Sequence, residues 1–334
     1  DVYHPRFLSI PRFLKFTDGL FEALFSLPLL IKLKRAGRLD ILDAHFIHPD
    51  GIAAWLLGKW LRVPYTITLR GALPRIARTR LRRWMAIRAM RSAARVFAVS
   101  DSLRQLAISL GISADHVQVV SNGINLDLFQ PENQLQCRQE LGIDPEAKVL
   151  LTVGTLTENK GFHRVMEQLP ALLERFPNLI YLVVGGEHPN GDEQRLRRIA
   201  GEIGVADRVN FMGVHPPERL RYFYSAADLY VMPSRTEGWA NVFLEAAACG
   251  LPAVATRVGG NAEVISKPEV GTLVPFGDGE ALREAIAAGL DRNWDQATIL
   301  AHARDNAWEH RIGKLVQAFD ASHTGQYKEV ACDR

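Results

Sequence analysis

Two glutamates eight residues apart, Glu237 and Glu245, bracket the start of a helix in the stretch DLYVMPSRTEGWANVFLEAAACGLPAVATRVGG, Asp228 to Gly260. A helix N-terminus offers unpaired N–H groups and the positive end of a dipole, so it favours an anion such as phosphate. Gly238 lets backbone approach a ligand closely. Carboxylates beside that seat would repel a bare phosphate, but they accept hydrogen bonds from hydroxyl groups well. An anion seat flanked by hydroxyl acceptors suits a sugar joined to a diphosphate.

The elements that must position these groups follow from the apolar pattern. A buried strand (Leu229 to Met232) feeds a loop of Pro, Ser and Gly. A helix then runs from about Asn241 to Cys249, and a second strand, Pro252 to Thr256, ends in Gly259 and Gly260. Upstream, a helix is expected over Phe16–Arg35, and strands at Ile41–Phe46, at Pro64–Gly71, in RVFAVS and in HVQVVSNG. Between them an arginine-rich helix spans Arg75–Ala94, and DSLRQLAISLG forms a helix capped by Asp101 and closed by Gly111. INLDLFQPEN, Ile124 to Asn133, reads as a linker. A second series of strands begins at KVLLTVG and continues through LIYLVVGG, RVNFMG, DLYVMPS, PAVAT and GTLVPF. Short strands alternating with helices mean parallel sheets covered on both faces, with ligands at the carboxyl ends of the strands. Helices finish the chain from Gly279 to Ser322, with Trp308 and Phe319 as their anchors.

The Asp228–Gly260 stretch resembles the signature of glycosyltransferase family four, retaining enzymes of the GT-B fold. Its elements are PS, two residues, EG, a second Glu eight positions after the first, and an LEA–small–small–CGLPAVAT run closing in GG. VGTLTENKGFHRVMEQL (Val153 to Leu169) is similar to the family's Gly-containing strand end and Lys-Gly helix start, DAHFIHPDG to its acceptor-side segment, and SNGINLDLF to its hinge. The similarity runs from Ile41 to Phe319. It implies an α/β chain of two Rossmann-like doubly wound domains facing across a cleft. These are an acceptor-side domain over residues 1–130 and a donor-binding domain over 131–334. Lys160 is then the ligand of the donor diphosphate, a point charge that offsets the negative charge growing on the leaving oxygens. Glu245 resembles the ribose-hydroxyl ligand and Glu237 the carboxylate near the hexose hydroxyls. Gly154, Thr155, Gly238, Trp239, Ala240, Asn241 and Val242 are expected to line the donor, and Asn210, Phe211 and Met212 to lie near the base. His45 takes a catalytic, acceptor-side place, together with Arg70, which stands where many members carry a histidine. Thr155 replaces a frequent arginine, which removes one positive charge from the diphosphate seat. Two βα units, roughly 60–80 residues at about 30 per unit, are expected before Ile41 and do not read there.

Composition narrows the classes further. The 334 residues, 47% hydrophobic and 23% charged, are those of a globular chain long enough for two cores. The longest apolar run, Phe21 to Ile31, is broken by Glu22 and Pro28 and is too short to span a bilayer. Three scattered cysteines, Cys137, Cys249 and Cys332, argue against a disulfide framework or zinc site and for a reducing, cytoplasmic setting. Residues 1–130 hold 19 Lys and Arg against 9 Asp and Glu, which leaves 21 against 28 in the remainder. The basic excess peaks between Arg70 and Arg104, with ten arginines and one acid. That charge suits anionic lipid head groups or a phosphate-bearing acceptor, and peripheral attachment to the inner face of a cell membrane. No nucleic-acid module accompanies it.

The expected activity is transfer of a sugar from a UDP- or GDP-linked donor to a glycan or lipid-linked acceptor, of the kind that builds exopolysaccharide or teichuronic-type polymers. The donor is a substrate, and no cofactor or metal is expected, since the chain has no DxD triplet. Three other readings compete. A truncated, non-catalytic nucleotide-sugar-binding or scaffold protein would bind without turnover. A sugar-nucleotide epimerase would return an altered donor. A dinucleotide oxidoreductase would want G-x-G-x-x-G after a strand, and neither VGTLTE nor VVGGEH supplies it.

Overall fold

The computed structural model describes residues 2–10, 12–186 and 192–323, so Cys332 lies outside the described residues. The chain divides into two compact units, Asp1–Ser121 with Arg311–Arg334, and Asn122–His310. The last helix lies mostly in the first of these units.

In the first unit the order is α1 (Asp18–Arg35), β1 (Leu42–His45), α2 (Ile52–Leu61), β2 (Tyr65–Leu69), α3 (Leu73–Ile76), α4 (Arg80–Ser92), β3 (Arg95–Ala98), α5 (Asp101–Ser109) and β4 (Val117–Val119). The four strands pair in parallel, in sequence order. The expected single helix over Arg75–Ala94 is two, because Thr79 adopts extended backbone between α3 and α4. The cap of α5 is Ser100, whose hydroxyl accepts from Leu103 N–H at 3.4 Å, rather than Asp101, which occupies the first turn. Ala23 of α1 packs with Ala53, Leu57 and Leu61 of α2.

Acidic groups crowd where α1 meets the turn before α2. Burial, then the negative charges of Asp50 and Asp18, push the Glu22 carboxyl up to about 7. Its folded value lies above its unfolded one, so its contribution to stability is complete below about pH 4.5 and is lost as pH rises through 7. Glu22→Gln is therefore expected to flatten the fall in unfolding temperature between pH 5 and 8. The difference is about 1 kcal/mol after discounting for solvent screening, read by thermal unfolding across that range.

The second unit runs α6 (Gln134–Leu141), β5 (Lys148–Val153), α7 (Phe162–Met166), α8 (Leu169–Arg175), β6 (Leu179–Val184), α9 (Glu193–Glu202), β7 (Val209–Gly213), α10 (Pro217–Ala226), β8 (Leu229–Met232), α11 (Asn241–Ala248), β9 (Ala253–Thr256), α12 (Asn261–Val264), β10 (Gly271–Val274), α13 (Gly279–Asp291) and α14 (Gln296–Asp305). Its six strands are parallel, in the order β10-β9-β8-β5-β6-β7. Alternate residues of each strand feed opposite faces. Val149, Leu151, Tyr230 and Ala255 join α11 and α14 in one core, whereas Leu150, Tyr181, Val231 and Val254 join α7, α8 and α13 in the other. The expected linker is not loose: Ile124 bridges to Ala307, and its carbonyl accepts from Trp308 N–H at 3.2 Å.

α15 (Glu309–His323) then leaves the second unit for the first. Its Ala318 is buried with Phe97 and Val120, and Phe319 meets Phe97 edge-on at 6.0 Å. Trp308 and Phe319 thus anchor the chain end, each in a different unit.

Candidate functional site

The strand order of the second unit reverses between β5 and β8, which are neighbours in space although 75 residues lie between Val153 and Leu229 in the chain. Outside their carboxyl ends the flanking loops diverge, and such a switch point is where doubly wound sheets take ligands. Lys160 follows β5 and Glu237 follows β8. The Lys160 ammonium donates to Glu237 Oε1 at 2.9 Å. The glutamate side chain is 9% exposed and the lysine 24%, so the pair is sheltered from bulk water yet reachable.

Three hydrogen bonds fasten the two loops together beside that pair. Arg235 N–H donates to Asn159 O at 2.8 Å, Asn159 Nδ2 to Thr236 O at 3.0 Å, and Thr236 Oγ1 to Asn159 Oδ1 at 2.8 Å. Glycines let the backbones close up. Gly161, at φ +81°, would put a Cβ 2.4 Å from Pro233 O, and Gly259, at φ +50°, one 1.7 Å from Glu237 O. The close approach of one loop backbone to another is thus made at Gly161 and Gly259. Gly259→Ala is expected to push the Glu237 loop outward and to lower stability by about 2 kcal/mol or more, measured by denaturant unfolding.

Glu245 sits in the second turn of α11, half-buried, and its Oε2 accepts from Tyr224 Oη at 2.7 Å. Burial raises its carboxyl above the ordinary glutamate range, and the Tyr224 hydrogen bond opposes that rise in part. One carboxylate oxygen is thus fixed by a buried phenol, which orients the other. Ala240 precedes α11 without a side-chain cap; Phe243 N–H donates to Ala240 O at 3.3 Å, and no side chain caps the amides before it. Asn241 is exposed at that end, and Asn122 Nδ2 holds its Oδ1 at 2.9 Å. Three further polar atoms, Ser234 Oγ and Trp239 Nε1 in the loop after β8 and Asn261 Oδ1 at the start of α12, are buried with no hydrogen-bond partner. Unsatisfied groups are costly, and several beside one switch point suit a polar ligand.

The rest of the expected donor residues divide. Gly154 ends β5, its N–H bonded to Val184 O at 2.9 Å, and Thr155 beyond it is exposed. Val242 and Trp239 rest against the α11 core. Asn210, Phe211 and Met212 lie on edge strand β7, where side chains alternate. Met212 packs on the α11 side, while Phe211 packs on the opposite side, beneath the Arg197 guanidinium at 4.2 Å. Of these three, Phe211 therefore has its ring committed to packing.

In the first unit, His45 and Arg70 end neighbouring strands and meet: Arg70 Nε donates to His45 Nδ1 at 2.9 Å. His45 Nε2 lies 3.1 Å from Asp43 Oδ2, and Thr66 Oγ1 donates to Asp43 Oδ1 at 2.6 Å. An arginine can only donate, so the imidazole proton is on Nε2 and points at Asp43. Burial tends to raise the Asp43 carboxyl, but the His45 and Thr66 hydrogen bonds and the neighbouring positive charges outweigh it and hold it below its usual range. Both ring nitrogens are thus engaged, the Nδ1 lone pair by Arg70 and the Nε2 proton by Asp43. Sequence reading missed Asp43, although Asp43 and His45, two apart on one strand, had to share a face. It also missed Tyr224, Asn159, Thr236 and Asn261, whose partners lie 5 to 77 residues away and leave no local pattern, and the unpartnered Ser234 hydroxyl.

Residues 133–306 match the family described as Glycosyl transferases group 1. The chain belongs to that family. Residues 2–128 match the description Glycosyltransferase Family 4. Among curated relatives, the D-inositol 3-phosphate glycosyltransferase of Corynebacterium efficiens is 33% identical over 236 residues, which cover 68% of this chain and 56% of that protein. The enzyme of the same name from Acidothermus cellulolyticus is 32% identical over 242 residues, 69% of this chain and 52% of its own. The chain spans about half the length of the curated relatives it matches. Among solved structures, sucrose-phosphate synthase from Thermosynechococcus elongatus superposes with a TM-score of 0.76 at 25% identity, covering 89% of this chain and 79% of that one. Anabaena Alr3699/HepE in complex with UDP and glucose gives 0.77 at 22% identity, covering 88% and 82%. These likenesses and the two parallel sheets make the fold class GT-B.

Proposed function

We propose that this group 1 family chain moves a hexosyl group from a nucleotide-diphosphate sugar to a hydroxyl acceptor with retention of configuration. The observation that carries the reading is the Lys160–Glu237 contact at the sheet's switch point, with the uncapped start of α11 and Glu245 following it on the chain. Lys160 and the first amides of α11 hold the diphosphate and take up the charge that grows as the glycosidic bond breaks. Glu237 accepts from the hexose hydroxyls and Glu245 from the ribose. The departing phosphate oxygen receives the acceptor proton on the same face, so no enzyme nucleophile is needed and no metal bridges the phosphates. A donor of the UDP type is supported by the structural relatives, solved with UDP, with UDP and glucose, and with UDP-glucose.

On the acceptor side, His45 and Arg70 present an oriented guanidinium suited to an acceptor carrying phosphate. A glycan or lipid-linked acceptor fits that chemistry, as does the inositol phosphate in the names of the curated relatives. The test is calorimetry with UDP and GDP beside a transfer assay from UDP-glucose, with D-inositol 3-phosphate and an undecaprenyl-linked glycan as acceptors. Turnover that persists with a chelator present is expected. Nucleotide binding without any transfer would favour a non-catalytic binding protein, and loss of all turnover on chelation would overturn the metal-free scheme.

A further inference from the structure

The outer face of α4 combines charge and apolar surface in a way the transfer reaction does not use. At 3.6 residues per turn, Arg80, Leu81, Arg83, Trp84, Arg88 and Arg91 fall on one half of the helix, and Ala86, Ala89 and Met90, on the other half, are buried. Leu81 and Trp84 are 48% and 52% exposed. No acid occurs between Arg70 and Ser100, and among the described residues Arg80, Arg83 and Arg88 form no ion pair. The face continues onto α2 through a row of rings and cations. Lys59 Nζ stands 4.9 Å over Trp55, Trp55 meets Trp84 edge-on at 6.5 Å, and Arg88 lies 5.8 Å from the Trp84 ring.

We infer that this α2–α4 face seats the protein on an anionic lipid surface, with Leu81 and Trp84 entering the head-group layer and the arginines pairing with lipid phosphates. Charge complementarity identifies the occupant, and the indoles and Leu81 refine it. A convex helix about 20 Å long meets a plane along its length, whereas a lone phosphate would engage one or two of the arginines. A nucleic-acid backbone would also meet the arginines but would find no use for an exposed leucine beside them. Trp and Arg or Lys together are the residues that sit at a membrane interface. No helix among the described residues is long and apolar enough to cross a membrane, so the attachment is to one surface.

Sedimentation of the full chain with vesicles tests this, using phosphatidylglycerol mixed with phosphatidylcholine against phosphatidylcholine alone. Binding is expected only to the anionic vesicles and should fall steeply as salt rises from about 0.1 to 0.5 M. Replacing Arg80, Arg83 and Arg88 together with Gln should weaken it on the order of a hundredfold, at about fivefold per charge, while the same three changed to Lys should keep it. Leu81→Ser with Trp84→Ser should weaken it about tenfold at unchanged charge. Thermal unfolding of each variant reports whether the fold survives, and the Lys variant carries the test if the Gln variant does not fold. Binding to neither vesicle overturns the inference. So does vesicle binding that ignores both sets of changes, or equal binding to duplex DNA that is indifferent to the Leu81 and Trp84 changes.

Discussion

Lys160→Ala should lower the rate of sugar transfer by about a hundredfold to a thousandfold, the range seen when one preorganised donor is removed from a developing anion. The physical cause is the loss of the Lys160 ammonium at the switch point, where it is sheltered by the two clamped loops and held 2.9 Å from Glu237. A charge there is preorganised, because the Asn159–Thr236 bonds and the close approach at Gly161 fix the loop before the donor arrives. Lys160→Arg keeps the charge and should recover part of the rate. In the alanine variant Glu237 is left shielded and unpaired, so stability should fall as well, by about 1–2 kcal/mol for a partly exposed partner. Steady-state kinetics with saturating donor and a thermal unfolding curve separate the two losses. A transfer rate within about threefold of the parent would remove Lys160 from the chemistry.

The second large effect is a trade. Glu245→Gln should weaken donor binding about tenfold to a hundredfold, because a charged acceptor for sugar hydroxyls becomes a neutral one. It should also make the protein more stable at pH 8. Burial raises the Glu245 carboxyl in the folded chain above its unfolded value. Its stabilising contribution is therefore complete in acid, below the unfolded glutamate range, and is lost as pH climbs through the raised value. Glutamine carries no charge to desolvate and can still accept from Tyr224, so the gain, about 1 kcal/mol, belongs at pH 8 and should be absent at pH 4. Calorimetry with UDP and unfolding scans at the two pH values read both halves. Tyr224→Phe should weaken donor binding while keeping the Glu245 carboxylate, since it removes the phenol that orients it.

How much of this was legible beforehand differs by element. The ten strands among the described residues fall where the apolar runs stood, because strands buried on both faces of a parallel sheet must be nearly continuous in Val, Leu, Ile and Ala. The start of α11 at Asn241 was legible for a related reason: Pro, Ser and Gly break the strand and an apolar period of a helix follows. Arg75–Ala94 misled because a uniform arginine-rich composition carries no mark of the extended residue at Thr79.

The sequence by itself determined the elements and the types of group at their ends, because local backbone preference and burial period act over a few residues. Only tertiary structure decided which ends meet. Lys160 and Glu237 are 77 residues apart, and they touch because β8 crosses back to lie beside β5. Glu245 finds Tyr224, Asn241 finds Asn122, and Gly259 makes room for the loop, each by an approach of segments that no local pattern encodes. The last helix returns to the first unit for the same reason: Ala318 and Phe319 complete a core whose other half, Phe97 and Val120, lies some 200 residues earlier.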